Sequence, residues 1–336
     1  MEARRLTGRR TVLKAVAATP LLLAGCATRE STTPPGVLNI GQISDSVAFL
    51  PLFIAERRGY FAAEGITLGD RPRLGTGAKV AAALKSGSVD LGAGVITDAF
   101  NLAKIDDGTR IVTSLVTEYY VDIVVGVSWP EPDSLPGKIA ALVGKKIGIT
   151  GPGSGTEALV DYLFGSIGHH AATDATLVNL GSAATSAIGA LKAGRVDALA
   201  FFQPIAQQAA AAGAGRTFIS PARGDVPALR GALHGVVFST QKLLNRKQQE
   251  LAGFQRAMRR ALADVHGDDA RTLLGQYLKG TDPRALDAVV PILRREVPTD
   301  PAVQRASYDT ARAFHLDSGL VRKAPTYEQI LVPTGD

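Results

Sequence analysis

The residues best suited to binding chemistry form a glycine-rich stretch between two apolar runs. Residues 145–162 read KKIGITGPGSGTEALVDY, an order that predicts a strand, a tight loop over residues 151–156 and a helix. Glycine lets a ligand approach the backbone, and the unpaired N–H groups at a helix start bind oxygen atoms and anions. The stretch therefore predicts a site for a small ligand, with a helix start that binds nothing as the alternative.

Three known nucleotide-binding or catalytic motifs do not match this loop. A P-loop requires GxxxxGK[ST], and no lysine follows Gly155; a dinucleotide fingerprint requires GxGxxG, whereas the loop glycines are spaced as GxGxG. A nucleophile elbow needs glycines two residues before and after its serine, and Ser154 has Pro152 and Thr156 there.

An internal repeat predicts two similar α/β lobes. Residues 83–90 read ALKSGSVD and residues 190–197 read ALKAGRVD. Each copy ends an alanine-rich helix at a glycine and then enters a strand that carries an aspartate. Matching positions in two βαβ patterns favour a repeated unit over chance similarity in an alanine-rich chain.

The segments on either side of this repeat predict the elements that position it. Residues 37–43 predict a strand, residues 44–48 a polar loop, and Phe49 starts a helix that ends at Gly59 before a second strand near residues 66–68. After residue 240 the pattern turns helical, with one apolar helix face formed by Leu251, Phe254, Met258, Leu262 and Val265.

Two Thr-Asp-Pro triplets near the C-terminus predict helix starts. They occupy residues 281–283 and 299–301, and in each the aspartate would cap the helix while proline takes its first position. Residues 325–331 predict a last short helix that docks on the body.

Composition and charge indicate a globular protein without a nucleic-acid surface. The 336 residues are 46% hydrophobic and 20% charged, with a formal charge of +6. Residues 1–25 hold five basic residues and one acidic residue, so they account for four of those six charges. The nearly balanced remainder, without a basic stripe interleaved with aromatics, excludes nucleic acid as the expected partner.

The N-terminus resembles an export signal with a lipid-attachment site. A basic start and a short apolar run lead to Leu23-Ala24-Gly25-Cys26, which resembles a bacterial lipobox, and Cys26 is the chain's single cysteine. Residues 9–14 resemble a twin-arginine signal, which leaves the export route open. We expect residues 1–26 to be the signal segment with its lipobox, residues 27–36 a polar tether, and no later membrane span. A stray cysteine in an ordinary signal is the alternative.

Four segments in order resemble one family of transport proteins. They are PLFIAERRGYFAAEGI at residues 51–66, GTGAKVAAALKSGSVDLGAGVITDAF at 75–100, GKKIGITGPGSGTEALVDYLF at 144–164, and NLGSAATSAIGALKAGRVDALAFFQP at 179–204. The series is similar to the nitrate, sulfonate and taurine solute-binding proteins of ABC importers, whose superfamily includes binders of thiamine precursors. The resemblance covers most of residues 37–240.

The resemblance implies a two-lobed α/β fold of the periplasmic-binding-protein-like type II, with two crossing strands as the hinge. Residues 121–127 and 235–240 are apolar and strand-like and fit those crossings. Lobe one would comprise residues 37–122 plus 239–336, lobe two residues 123–238, and the C-terminal helices would pack on lobe one. Ligands of such sheets bind at the carboxyl ends of strands.

Loops at these strand ends supply the expected ligand residues. Hydroxyl groups and backbone amides satisfy ligand oxygens, and aromatic rings cover apolar parts. The candidates are Ser44, Phe49, Thr76, Gly77, Thr97, Asp98, Tyr119, Ser154, Gly155, Thr156, Phe202 and Gln203.

Charges near the expected cleft disfavour a bare anion. Lys79 is the one basic neighbour, against Asp45, Asp98 and Glu118; a zwitterion or a neutral or amine-bearing ring fits better, unless these acids are solvated rim residues. The adjacent His169 and His170 do not predict a metal site. His234 is the only histidine expected near the cleft, as a structural residue.

We therefore expect a non-enzymatic, monomeric receptor that needs no cofactor. It would be anchored through Cys26 to the outer face of the bacterial cytoplasmic membrane, capture a small organic solute, either sulfonate- or taurine-like or heteroaromatic, and deliver it to a permease and its ATPase. An enzyme related to the pyrimidine synthases of thiamine biosynthesis is the first alternative, although those enzymes carry a cysteine-rich motif and no cysteine follows Cys26. A sensory binding module is the second.

Overall fold

The computed structural model describes residues 33–332. The predicted signal segment, its Cys26 and most of the predicted tether lie outside these residues. The described strands are β1 Val37–Leu38, β2 Ile40–Gln42, β3 Thr67–Leu68, β4 Leu91–Val95, β5 Thr109–Val116, β6 Val121–Val125, β7 Lys146–Ile149, β8 Thr176–Asn179, β9 Ala198–Phe202, β10 Arg216–Ile219 and β11 Gly235–Thr240.

The described α-helices fall between and after these strands. They are α1 Leu50–Arg57, α2 Tyr60–Ala63, α3 Gly77–Ser86, α4 Ile96–Ala103, α5 Leu135–Ala140, α6 Gly155–Ser166, α7 Ala171–Asp174, α8 Ala184–Lys192, α9 Ile205–Ala211, α10 Gln241–Leu244, α11 Gln248–Asp264, α12 Ala270–Tyr277, α13 Pro283–Glu296, α14 Arg305–Asp317 and α15 Tyr327–Ile330. Within residues 33–332, no helix is long and apolar enough to cross a membrane.

Two mixed sheets form the body. One has the order β2-β4-β11-β5 and the other the order β10-β6-β9-β7-β8, while β1 and β3 pair separately. In the second sheet β7, β8 and β9 run parallel, and β6 is antiparallel to β9. The predicted strand, loop and helix of residues 145–162 are confirmed as β7, a loop and α6.

The internal repeat has a structural role, because its aspartate makes the same kind of hydrogen bond in both sheets. The carboxylate of Asp90 accepts the backbone amide of Asn39, and that of Asp197 accepts the amide of Lys146, each at 2.8 Å. Each aspartate comes just before a strand and accepts a hydrogen bond from a backbone amide at the beginning of a neighbouring strand. The predicted pair of similar α/β units is thereby confirmed, and the aspartates hold strands together rather than a ligand.

The two predicted crossing segments lie inside the sheets. Residues 121–125 form β6, in the five-stranded sheet, and β11 is an inner strand of the four-stranded sheet. The backbone passes from one sheet to the other just before each strand, over residues 117–120 and 220–234. The division into lobes at residues 122 and 238 remains a prediction.

The C-terminal helices pack on both sheets rather than on the first alone. Helix α11 packs along α1, with the Phe254 and Phe61 rings stacked at 5.5 Å, as expected for lobe one. Helix α13 packs against α9, where Arg284 donates to the carbonyl of Ala211 at 2.8 Å. Phe314 of α14 lies in the apolar cluster of the second sheet, so these helices join the two halves.

One of the two predicted helix starts is wrong. Asp282 caps α13 by accepting the amide of Arg284 at 2.8 Å, as predicted. Asp300 instead closes a turn by accepting the amide of Ala302, and the carbonyl of Pro301 accepts the amide of Ser114 from β5. The second triplet therefore serves as an edge contact to a strand. The short C-terminal helix is confirmed as α15.

Candidate functional site

A cavity of about 470 Å³ lies between the two sheets. The half of the chain built on the first sheet contributes the starts of α3 and α4, and the half built on the second contributes the loop before α6. The lining residues include Ile43, Ser44, Gly75, Thr76, Gly77, Ala78, Ala81, Ala82, Lys85, Val95, Asp98, Asn101, Ile105, Tyr120, Val121, residues 150–156, Ser182, Phe202 and His234. A volume of this size suits a small organic molecule.

The loop before α6 satisfies its own polar groups. The hydroxyl of Ser154 caps the helix by accepting the amide of Glu157 at 3.3 Å, and the amide of Gly153 donates to the Glu157 carboxylate at 2.5 Å. The hydroxyl of Thr156 accepts the amide of Thr150 at 3.0 Å. The predicted cradle of free amides is therefore partly filled by the carboxylate of Glu157, in the first turn of α6.

Asp98 is the acidic group of the cavity wall. It lies in the first turn of α4 and accepts the backbone amide of Val95 at 2.9 Å through one oxygen. A methyl group added to Gly77 would lie 1.7 Å from its other oxygen, so the carboxylate packs directly against the start of α3. Burial raises the pKa of the Asp98 carboxyl to about 6, and the hydrogen bond from Val95 opposes this shift.

A side-chain hydrogen bond joins the two halves across the cavity. The side-chain amide of Asn101, on α4, donates to the carbonyl of Gly153 in the loop before α6 at 3.0 Å. The Asn101 carbonyl accepts from the exposed Lys104 ammonium at 2.8 Å, which agrees with an amide nitrogen that faces Gly153. The two halves are therefore in direct contact at this point of the cavity.

A layer of buried aromatic rings supports the cavity from behind. His234 lines the cavity, as expected, with its ring centroid 4.0 Å from that of Tyr119 and 4.6 Å from that of Tyr120. Burial holds the pKa of His234 well below its usual range, so the ring is neutral. Within residues 33–332, no cluster of His, Cys, Asp and Glu could hold a metal ion.

The structure brings most of the predicted ligand residues to the cavity wall. These are Ser44, Thr76, Gly77, Asp98, Ser154, Gly155, Thr156 and Phe202. The other predicted residues, Phe49, Thr97, Tyr119 and Gln203, are fully buried and are absent from the wall.

Each buried exception has a structural partner. Phe49 packs in the first apolar core, and the hydroxyl of Tyr119 donates to the carbonyl of Gly155 at 2.5 Å. The hydroxyl of Thr97 donates to His315 Nε2 at 2.6 Å, because His315 Nδ1 already donates to a carbonyl. Gln203 donates to the Glu296 carboxylate at 3.2 Å. These residues shape the wall without reaching the cavity.

Sequence reasoning missed the residues that helices α3 and α4 turn toward the cavity. On α3 they are Ala78, Ala81, Ala82 and Lys85. On α4 the residue is Asn101, beside the predicted Asp98, and Ile105 follows in the turn just after the helix. Their spacings of three and four are those of one helix face. Helical periodicity counted from Ala78, the residue after the predicted Gly77, and from Asp98 would have found them.

The prediction of which charged residues lie near the cleft is wrong for three of four. Lys79, Asp45 and Glu118 do not line the cavity: Asp45 pairs with Arg73 at 2.6 Å, and Glu118 accepts the amide of Gly231 at 3.0 Å. The basic residue that does line it is Lys85, whose ammonium pairs with Asp106 at 3.0 Å.

Comparison with solved structures identifies the fold. The alkanesulfonate-binding protein SsuA from Xanthomonas axonopodis pv. citri, solved with MOPS bound, is 21% identical with a TM-score of 0.69 and covers 89% of this chain and 100% of its own. The Escherichia coli aliphatic sulphonate-binding protein SsuA is 18% identical, with a TM-score of 0.67 and coverage of 88% and 97%. A Candida albicans gene product described as having the generic periplasmic binding protein fold is 16% identical, with a TM-score of 0.68 and coverage of 90% and 97%.

Sequence comparison identifies the family. No curated protein sequence matches the chain significantly. The profile of the family described as NMT1/THI5 like matches residues 46–271, which is more than half of the chain and includes both walls of the cavity. The two-sheet architecture, which is that of periplasmic binding proteins, agrees with this match. The chain belongs to the NMT1/THI5-like family.

Proposed function

We propose that the protein is the extracytoplasmic solute-binding component of an ABC-type importer and encloses one small organic solute between its two halves. The observation that carries this proposal is the cavity itself, which takes its walls from both sheets and is bridged by the bond between Asn101 and Gly153. The resemblance of the fold to proteins named for sulfonate binding supports the same role.

The proposal extends to the setting in which the protein works. The tetrad that ends at Cys26 supports a lipid anchor on the outer face of the cytoplasmic membrane. The partners would be a permease and its ATPase, and the protein would act as a monomer. The solute would be either sulfonate- or taurine-like or a heteroaromatic ring such as a thiamine precursor.

Solute binding should stabilise the protein and shift it toward the closed arrangement. A ligand that contacts both halves favours the closed state by its difference in affinity for the two states. At about 100 times its dissociation constant, it should add about 2.7 kcal/mol to the free energy of unfolding. We would screen sulfonates, taurine, aminopyrimidines and organic amines by thermal denaturation, and then measure the radius of gyration by small-angle scattering.

A matched pair of variants tests whether such a ligand occupies this cavity. Ala82 and Ala193 are both exposed, but only Ala82 lines the cavity. Ala82→Trp should abolish the stabilisation by any solute found in the screen, and Ala193→Trp should leave it intact. A screen in which no solute raises the melting temperature or reduces the radius of gyration would contradict the proposed function.

Removal of the bond across the cavity should speed solute release. Asn101→Ala deletes one hydrogen bond between the two halves, which is worth about 0.5–1.5 kcal/mol. We expect the dissociation rate of a bound solute to rise about two- to tenfold, measured by stopped-flow fluorescence. Lys104→Ala removes the other partner of Asn101 without breaking the bridge, so it should release solute at nearly the parental rate. Equal rates for Asn101→Ala and the parent would show that the bridge does not hold the closed state.

A further inference from the structure

The carboxylate of Asp98 is positioned to bind a ligand. Asp98 is 6% exposed and lines the cavity. One oxygen accepts the Val95 amide, and the other lies beside Gly77 at the cavity wall. Asp98 also packs against Gly94, since a methyl group there would lie 2.6 Å from Oδ2, the oxygen that accepts the Val95 amide. The carboxylate is therefore held in place at the cavity wall, and within the described residues its Oδ1 accepts no hydrogen bond from the protein.

No cation of the described chain neutralises this carboxylate. Among the described residues that line the cavity, the basic side chain is that of Lys85, which is 47% exposed and paired with Asp106. His234 is neutral because burial lowers its pKa. With a pKa of about 6, Asp98 is largely ionised at neutral pH. A carboxylate in such a site has a strong preference for a positively charged partner.

The starts of α3, α4 and α6 face the cavity, and each has a protein carboxylate beside it; that of α4 is Asp98 itself, in its first turn. Glu157 accepts the amide of Gly153 before α6, and Asp98 lies against the first residue of α3. Each carboxylate offsets the positive end of a helix dipole, which is the feature that attracts anions to helix starts. An anionic solute would therefore lie near a carboxylate at either wall, and the repulsion disfavours it.

The remainder of the wall suits a compact apolar body. Ile43, Ala81 and Val95 line one side, and the ring of Phe202 lies on the other. These side chains offer dispersion contacts and no hydrogen bonds, so the polar recognition is concentrated at Asp98 and the nearby hydroxyl groups.

We propose that the cavity takes a solute that carries a cationic, hydrogen-bond-donating group, such as an amidinium, guanidinium or primary ammonium, on a small apolar body, and that Asp98 binds this group. The inference rests on the proposed function and narrows its solute class: an organic cation is accepted and a bare sulfonate is rejected. Asp98 is thus the residue that determines specificity.

Three probes of nearly identical shape test the charge preference. Benzamidinium, benzamide and benzoate differ chiefly in charge, so their dissociation constants, measured by isothermal titration calorimetry at neutral pH, separate charge from size. We expect benzamidinium to bind about tenfold or more tightly than benzamide, as a charge-assisted hydrogen bond predicts, and benzoate to bind most weakly. Asp98→Asn keeps the acceptor for the Val95 amide and should lower the affinity for benzamidinium about tenfold or more, with benzamide unchanged.

A control variant separates the cavity from general effects of charge. Asp282 also caps a helix by accepting a backbone amide, but its side chain is 38% exposed and does not line the cavity. Asp282→Asn should leave all three affinities unchanged. Tighter binding of benzoate than of benzamidinium, failure of benzamidinium to bind while an anion binds, or an unchanged preference in Asp98→Asn would overturn the inference. If an anion binds and closes the protein, the proposed function stands and only the solute class fails.

Discussion

Replacement of Asp122 by asparagine is expected to raise the free energy of unfolding by up to about 4 kcal/mol near pH 8. Asp122 lies on β6 and is 1% exposed, and its Oδ1 has no hydrogen-bond partner within the described residues. Burial raises the pKa of its carboxyl from 3.8 to about 7, an effect that the neighbouring Ser220 and Arg223 only partly oppose. A neutral amide of the same shape avoids the free-energy penalty of burying this charge.

The effect should depend on pH in a defined direction. Between 3.8 and about 7, folded Asp122 holds its proton while the unfolded chain has largely released it. The folded state therefore binds more protons than the unfolded state, and stability falls as the pH rises through this range. Above about pH 7 both states are ionised and the penalty is complete. The gain from Asp122→Asn should thus be small near pH 4 and largest near pH 8.

Removal of the Asp122 charge is also expected to change the pKa of a neighbouring carboxyl. Glu296, at the end of α13, is bound to Gln203, and burial raises the pKa of its carboxyl well above the usual range, with the Asp122 charge adding to that shift. Asp225 adds a weaker repulsion to Asp122. Removing the Asp122 charge should therefore lower the pKa of Glu296 somewhat, and the remaining pH dependence would come mainly from Glu296.

Urea denaturation over a range of pH values measures this effect. Asp174→Asn is a suitable control, because hydrogen bonds from His170 and His169 lower the pKa of the Asp174 carboxyl. That variant should lose stability near pH 8, which is the opposite sign. If the free energies of unfolding of Asp122→Asn and of the parent change with pH in parallel, then the pKa of Asp122 is the same in the folded and unfolded states, and the prediction is wrong.

The fold could be predicted where the local residue pattern and the order of the segments that resemble the family indicated the same elements. The strand, loop and helix of residues 145–162 follow from β-branched residues, glycine and alanine in that order, and the tertiary contacts did not override them. The Thr-Asp-Pro triplet at residue 299 failed because the same three residues suit a helix start and a tight turn. The structure of this triplet depends on a distant hydrogen bond, from the amide of Ser114 in β5 to the carbonyl of Pro301, and a local sequence pattern does not predict such a contact.

The site could be predicted at the level of loops and only partly at the level of side chains. A loop at a strand end places its backbone near the cavity, but burial decides which way each side chain turns. Thr97 and Asp98 are adjacent in α4, and the helix turns one toward His315 and the other toward the cavity. Adjacent helical positions point about 100 degrees apart, so membership of a cleft loop did not determine both.

Replacement of Gly77 by alanine is expected to lower the free energy of unfolding by about 2–4 kcal/mol and to abolish solute binding. The new methyl group would lie 1.7 Å from Asp98 Oδ1 and 2.3 Å from its Cγ, so the carboxylate must move. Movement would break its bond with the Val95 amide and displace a buried charge. In contrast, Gly189→Ala within α8 meets no atom within 4 Å and should stabilise the protein by about 0.5–1 kcal/mol.

A double-mutant cycle identifies Asp98 as the cause of the expected loss. If the penalty in Gly77→Ala comes from displacing the Asp98 carboxylate, then the same substitution made in Asp98→Ala should cost about 1 kcal/mol or less, because the two nearest obstructing atoms, Oδ1 and Cγ, are gone and only Cβ, at 3.0 Å, remains. Chemical denaturation of the four proteins gives the coupling energy, which we expect to be about 2 kcal/mol. Additive effects would instead place the strain in the backbone at the start of α3. Gly77 and Asp98 therefore shape the cavity wall together, because only a residue without a side chain at position 77 leaves room for the carboxylate between the start of α3 and the cavity.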